Sequence, residues 1–280
     1  MTFHRVGVEL EEAQARGVAP VAGPRWRWRP RASDWVVRAA SVVIVLGVWE
    51  LYGPNLNRII LRPPSQIFMA FFDLLGTGEL QAALVQSLRV FSSGLAIALV
   101  GGIALGIVSG RSRLVFNAID PWVSALYSVP SVALVPLIAV AFKYEGDAPR
   151  VATVVLFAIF PILINTQQGV RNVEPALLEV ARAFSSSERR LWGDVIVPSS
   201  LPFILAGARL AIGRALIGMI VSEFLVGLAG LGYLIIQYQN VFRIDRMFVP
   251  VIVVAVLGIS LMGIVQLVEG RVAPWLRREQ

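Results

Sequence analysis

Residues 171–209 read RNVEPALLEVARAFSSSERRLWGDVIVPSSLPFILAGAR. This polar, charged stretch interrupts a chain that is otherwise apolar, and its reading decides the fold. Residues 174–184 read as a short helix, with Pro175 at the first helical position, where a missing N–H leaves nothing unpaired. Ser185 to Glu188 spells Ser-x-x-Glu, a capping box that predicts a second helix running into Leu191-Trp192. Val197-Pro198 is expected to close that helix, and Pro202 stands where the next apolar span begins. Two short helices between long apolar spans make a shelf at a membrane face, a shape suited to docking a soluble partner.

Working outward, the composition fixes the class. Of 280 residues, 56% are hydrophobic and 15% charged, against about 25% charged in an average soluble domain. Mean hydropathy is +0.72. These values describe an integral membrane protein: one membrane domain and a tail. The chain has no Cys, and its one His is His4. That excludes thiolate nucleophiles, Cys-bearing zinc sites, His-bearing triads and His-Glu-x-x-His metal centres. The one Lys, Lys143, lies outside any Gly-x-x-x-x-Gly-Lys, so the chain cannot form a Walker A phosphate loop. If ATP drives the protein, another subunit binds it. The net charge of +7 is almost wholly Arg, which fits positive-inside topology and anionic lipid rather than nucleic acid.

Residues 1–34 form a basic tail, expected to be flexible and cytoplasmic, in which Arg alternates with Trp over 25–29 as an interfacial anchor. The first span covers about 35–52, and residues 35–60 hold it with the start of an outer loop. Ser65 is expected to cap an amphipathic interfacial helix through Leu75 that Gly76 and Gly78 end. The second span, about 84–110, carries Gly94, Ala98, Gly102, Gly106 and Gly110 at every fourth residue, a small-residue face that admits a neighbouring helix closely. The third, about 121–142, is broken at Ser128, Pro130, Ser131 and Pro136. Freed carbonyls there need protein or a water-filled cavity, so the span is either a kinked packing helix or a pathway lining with Ser128 and Ser131. The fourth covers about 151–170. The fifth, about 201–226, carries Arg209, expected to snorkel to the membrane face. Arg214 and Glu223 lie deeper in that span, each either in a structural ion pair or on a solute path. The Gly-rich run 227–232 reads as a turn before a short helix. The sixth span covers about 248–268.

Six spans place both termini on one side. The tail with Arg38 just beyond it, 111–113, 171–190 and the C-terminus hold sixteen cationic residues against six in the opposite loops, so both termini and the Glu179 shelf are expected in the cytoplasm. No strong internal repeat of the kind seen in many secondary transporters is evident.

The shelf also carries a family resemblance. Glu179-Val180-Ala181, Ser185 after three further residues, then Val195, Val197 and Pro198 match in spacing the EAA loop of binding-protein-dependent ABC importer permeases, written Glu-Ala-Ala, three residues, Gly, nine residues, Ile-x-Leu-Pro. Val180 replaces an Ala. Ser185 replaces the Gly, and Ser disfavours the left-handed turn that Gly permits; the run 185–187 is expected to turn by capping. The stretches 61–65, 160–166, 207–210, 221–223 and 230–234 are similar to the nitrate/sulfonate/taurine branch, while 141–149 departs from its Trp-Phe-Gly.

The resemblance implies an all-α integral membrane protein of six transmembrane helices, a type I ABC importer permease-like fold with a cytoplasmic coupling helix pair. The permease core would be 61–275, with five further spans and the coupling loop at 171–200. It implies a transport subunit rather than an enzyme, in the cytoplasmic membrane, that binds no cofactor itself, with ATP and Mg on cytoplasmic ATPase subunits. A second permease copy, expected to be identical, and an extracytoplasmic solute-binding protein would complete the assembly. The solute would be a nitrate-, sulfonate- or taurine-like anion or a vitamin precursor. Glu179, Val180, Ala181, Arg182, Ser185, Val195 and Pro198 would form the ATPase-coupling loop. Read without the resemblance, Glu179 is a solvated carboxylate or a partner of Arg182. The alternative function is a stand-alone secondary transporter or channel, which leaves the shelf unexplained. An intramembrane enzyme is disfavoured by the absence of Cys and of any membrane-embedded His.

Overall fold

The computed structural model describes residues 32–53, 62–227 and 229–272; the expectations for the tail up to residue 31 lie outside them. Among the described residues the chain is helical, without strands. The helices are α1 (Ala32–Tyr52), α2 (Pro64–Thr77), α3 (Glu79–Arg111), α4 (Arg113–Ser128), α5 (Ser131–Ala141), α6 (Ala148–Arg171), α7 (Pro175–Ala183), α8 (Glu188–Arg190), α9 (Val197–Leu225), α10 (Leu231–Asn240) and α11 (Ile244–Val272). A π-helical turn, Leu191–Ile196, joins α8 to α9. By its contacts the chain divides after Val48. The described part of the first unit is the apolar start of α1; the second unit holds everything that follows.

Among the described residues five helical stretches are long and apolar enough to cross a membrane, and α4 with α5, bent by 104° at the Ser128–Ser131 break, makes a sixth if the pair is one span. The break forms because Pro130 removes a backbone donor and drives Val129 out of helical geometry, to ψ 136°.

Helix α6 is the centre of the second unit. On one side it lies parallel to α3, and the small-residue face is the seam. A Cβ added at Gly94 would come 2.6 Å from Val154, at Gly102 2.9 Å from Ile162, at Gly106 2.6 Å from Thr166 and at Gly110 2.7 Å from Val170. The four-residue step on α3 thus meets a four-residue step on α6, and Ala98 and Ala158 are both fully buried in the same cluster. Lipid tails are as apolar as Leu, so this close van der Waals fit, rather than expulsion of water, holds the pair. On its other side α6 runs antiparallel to α9, where Gly169 faces Phe203, Gly207 faces Asn165 and Gly218 faces Phe157.

The ends of the bundle differ. One end carries Arg111, Arg171 and the shelf. At the other, α2 packs Ile67, Ala70 and Leu74 against α10 and α11, with Phe68 and Phe72 outward. There Arg246 pairs with Asp73, and Tyr238 donates to Glu79. Burial and the Glu79 carboxylate together push the Tyr238 phenol above its usual range. Helix α2 begins differently from expectation. Its cap is Pro63, which offers no side-chain bond, and Pro64 opens the helix. Ser65 turns instead to Glu50, donating through its hydroxyl at 2.6 Å and its N–H at 3.0 Å.

Candidate functional site

The shelf is built on a small core. Val170, Val173, Leu191 and Ile196 are buried, with Leu178 and Ala181 of α7 packed on them. These contacts fix one face of α7, and a 3.6-residue period then turns the other face outward. Leu177 and Val180 lie on that outer face, and Phe184, one residue past the end of α7 with its N–H on Val180 O, continues it; Phe184 is 83% exposed and Val180 55%. Glu179 is exposed beside them. Glu188 reaches Arg111 of α3 at 3.7 Å, and the Arg171 guanidinium sits 4.0 Å over the Phe116 ring. The expected pairing of Glu179 with Arg182 lies outside the described side chains.

Two expectations about the shelf are corrected. Ser185 does not cap the second helix. Its φ is +52°, the left-handed conformation, and Ser186 N–H returns to Ala181 O at 3.1 Å. The chain therefore turns as a Gly would turn it, with Ser bearing about 1–2 kcal/mol of strain. Ser187 is the residue that precedes α8, and it too makes no side-chain cap bond. Nor does Val197-Pro198 close the helix. The π turn sends Val197 N–H to Trp192 O, five residues back. That wider turn relieves the clash between the Pro198 ring and the preceding turn, so the helix runs on from Glu188 to Leu225, 38 residues in all. Val195 is half-buried and Val197 exposed.

At the far end of α9 the charged residues have partners that sequence reasoning missed. Glu223 is 1% exposed. Its Oε1 accepts from Ser87 Oγ at 2.7 Å and its Oε2 from the Gly232 N–H at 2.8 Å. Ser87 Oγ in turn accepts from the Leu231 N–H at 2.8 Å. The carboxylate thus sits at the N-terminus of α10, where unpaired N–H groups favour negative charge. Two glycines wrap its side chain, Gly230 and Gly232, while Gly227 packs on its backbone: a Cβ at Gly230, whose φ is +113°, would lie 2.3 Å from the Glu223 carboxyl carbon. Beside it, buried Arg150 pairs with Asp147 and donates to Ala229 O at 2.9 Å. Glu223 is therefore held by hydrogen bonds and takes no direct ion pair among the described residues, and its enclosure removes it from their open surface. The clustering of glycines at 227, 230 and 232 behind a Glu was the available signal.

Arg209 does not simply snorkel; it forms a bidentate pair with Glu269 of α11. Arg214 differs from both. It is exposed on α9, and among the described residues it has no ionic partner. Its guanidinium lies 5.8 Å from the centre of the Tyr127 ring, one residue before Ser128. In hydrocarbon such a charge costs at least about 3 kcal/mol. Ser128 donates to Ser124 O at 2.7 Å, and Ser131 is half-buried at the start of α5. Between α4 and α6, toward the shelf, a cleft of about 310 Å³ is lined by Asp120, Ser124, Gln167 and Arg171 among others. No group of acidic, His or Cys residues among the described positions could hold a metal ion.

The family model of the binding-protein-dependent transport system inner membrane component matches residues 102–274, from the second Gly-faced turn of α3 through α11. The chain belongs to this family. The permease is 32% identical over 245 residues to the nitrate import permease protein NrtB of Leptolyngbya laminosa, covering 84% of this chain and 87% of that one. It is 30% identical over 238 residues to the formylaminopyrimidine transport permease protein ThiX of Halalkalibacterium halodurans, covering 85% and 94%. Among solved structures it resembles a crystal structure of an amino acid ABC transporter with histidines, at a TM-score of 0.58 and 18% identity, over 72% of this chain and 98% of that one. The last likeness concerns the fold alone. The permease is thus an inner membrane transport subunit of the ABC importer type, not an enzyme.

Proposed function

We propose that the permease passes a small solute inward across the cytoplasmic membrane, and that α7, Ser185 and α8 are the element through which a separate ATPase subunit drives it. The observation that carries this reading is the outer face of α7. Leu177, Val180 and Phe184 form an apolar strip beside the Glu179 carboxylate, at the charged end of the bundle, on a helix whose other face is fixed by the shelf core. A partner cleft that takes Phe184 and pairs a cation with Glu179 can push on a rigid body. The rigid body continues into α9 through the π turn. ATP-driven closure of the partner would then bias an inward/outward equilibrium through contacts that differ between the two states.

The rest of the assembly follows from the same reading. Both termini and the shelf face the cytoplasm. ATP and Mg bind to the ATPase subunits. A second, identical permease faces this one, and a solute-binding protein delivers solute from outside. The names of the relatives point to a nitrate-like anion or a pyrimidine vitamin precursor. Ser128, Ser131 and Arg214 border the path, and the polar cleft between α4 and α6 opens it toward the cytoplasm.

Purification of the tagged permease from detergent-solubilised host membranes tests the assembly. A Walker-motif ATPase should co-elute at about one per permease, with ATPase activity in the eluate. A single-chain eluate, in a detergent that preserves a known importer, would favour the stand-alone transporter.

A further inference from the structure

Helix α9 carries three ionisable side chains between Val197 and Leu225, and two of them are satisfied inside the protomer. Arg209 is spent on Glu269 and Glu223 on Ser87 and Gly232. Arg214 alone is exposed without an ionic partner among the described residues. At 1.5 Å per residue it lies about 25 Å along the helix from Val197 and about 16 Å short of Leu225. Those distances put it inside a hydrocarbon layer about 30 Å thick, too deep for the guanidinium to reach either surface comfortably.

A second observation converges on the same place. Tyr127, whose ring faces Arg214, precedes the break at which α4 bends by 104° into α5. Ser128, Val129 and Pro130 are all exposed there. Interrupted backbone at membrane depth is tolerated only against protein or a water-filled cavity, and so is an unpaired guanidinium. Neither can face lipid, and the two are neighbours.

We infer that Arg214 is the solute-recognising cation of the translocation path and that the solute is an oxyanion. This inference rests on the importer reading above. A guanidinium presents a rigid fork of N–H donors that matches two oxygens of a sulfonate or nitrate group at once. The Tyr127 ring holds the cation from one side without neutralising it, since a cation–π contact supplies no counter-charge. With Glu223 sequestered and Arg209 paired with Glu269, Arg214 is the one uncompensated charge on α9 among the described residues, and its single positive charge favours anions over neutral solutes. A neutral aminopyrimidine would leave the fork unpaired.

The test uses the tagged importer as it purifies from host membranes, reconstituted in lipid nanodiscs. Its arginines are modified with the water-soluble reagent p-hydroxyphenylglyoxal and followed peptide by peptide by mass spectrometry. Arg214 should be modified, and methanesulfonate should slow its modification several-fold at matched ionic strength. The neutral isostere dimethyl sulfone should not, and exposed Arg113 should be indifferent to both. Protection by methanesulfonate but not by the sulfone supports the oxyanion assignment. Arg214 modified equally fast with and without methanesulfonate overturns it. Arg214 unreactive while Arg113 reacts overturns its placement on an aqueous path and assigns it to a contact between copies. None of these readings depends on ATPase co-elution, so failure of the importer assignment would show separately.

Discussion

Ser87 of α3 donates a 2.7 Å hydrogen bond to Glu223 of α9 across 136 residues of chain, and the same hydroxyl accepts the first N–H of α10. One small side chain thus joins three helices at the end of the bundle opposite the shelf. Removing it leaves a buried N–H and a buried carboxylate oxygen each short of a partner. Ser87→Ala should lower stability by about 1–3 kcal/mol. Thermal unfolding of the detergent-solubilised permease would measure this as a lower Tm. An unchanged Tm would mean that water enters the site and replaces the hydroxyl.

The glycine cradle around the same carboxylate should be less forgiving. Gly230→Ala would place a Cβ 2.3 Å from the Glu223 carboxyl carbon, at a backbone φ of +113°. Both steric and backbone strain oppose it, at a cost of about 3 kcal/mol or more. The variant should be largely missing from the membrane fraction. If Glu223→Ala, which empties the cradle, rescues its level in the double variant, the clash with the carboxylate is the cause.

The seam between α3 and α6 gives an internal comparison. Gly106→Ala forces a Cβ to 2.6 Å from Thr166, while Gly76→Ala in α2 meets nothing within 4 Å. The first should destabilise by about 1–3 kcal/mol, and the second should stabilise by up to about 1 kcal/mol through helix propensity. Unfolding midpoints that shift in opposite directions are the expected result. A neutral Gly106→Ala would show that the two helices separate easily.

The α3 side of this seam was legible in the sequence, while its partner α6 was not. A small residue at every fourth position is a local pattern, and in lipid such a face has one physical use, close approach. The break at Ser128–Ser131 was legible for a similar reason, since Pro130 acts on its own neighbours. The partners of Glu223 were not, because Ser87 lies 136 residues away and carries no signal of its own. Pro198 misled for a subtler reason. Proline ends an α-helix by clashing with the preceding turn, but the π turn at Leu191–Ile196 widens that turn, and its five-residue bond is invisible to a rule built on 3.6 residues. Ser185 misled in the opposite sense. Local propensity disfavoured its left-handed conformation, and packing of α7 on the shelf core imposed it.

That imposed strain is testable. Ser185→Gly removes a steric penalty of about 1–2 kcal/mol but adds freedom to the unfolded chain, so a net gain of about 1 kcal/mol or less is expected. Ser185→Val, with a branched side chain at φ +52°, should loosen the shelf. Hydrogen exchange over residues 174–196 should slow in the first variant and quicken in the second, leaving α3 and α6 unchanged. Identical exchange in both would place the turn in another conformation.

The most direct test of the account is the amount of ATPase that co-purifies with variants of the α7 face. Phe184→Asp and Glu179→Arg should each lower ATPase recovery and ATP-driven uptake about tenfold or more, as expected for removing an interfacial anchor. Phe72→Asp, at an exposed aromatic on α2, should leave ATPase recovery intact. If both shelf variants retain wild-type ATPase recovery and uptake, the α7–α8 shelf is not the coupling element.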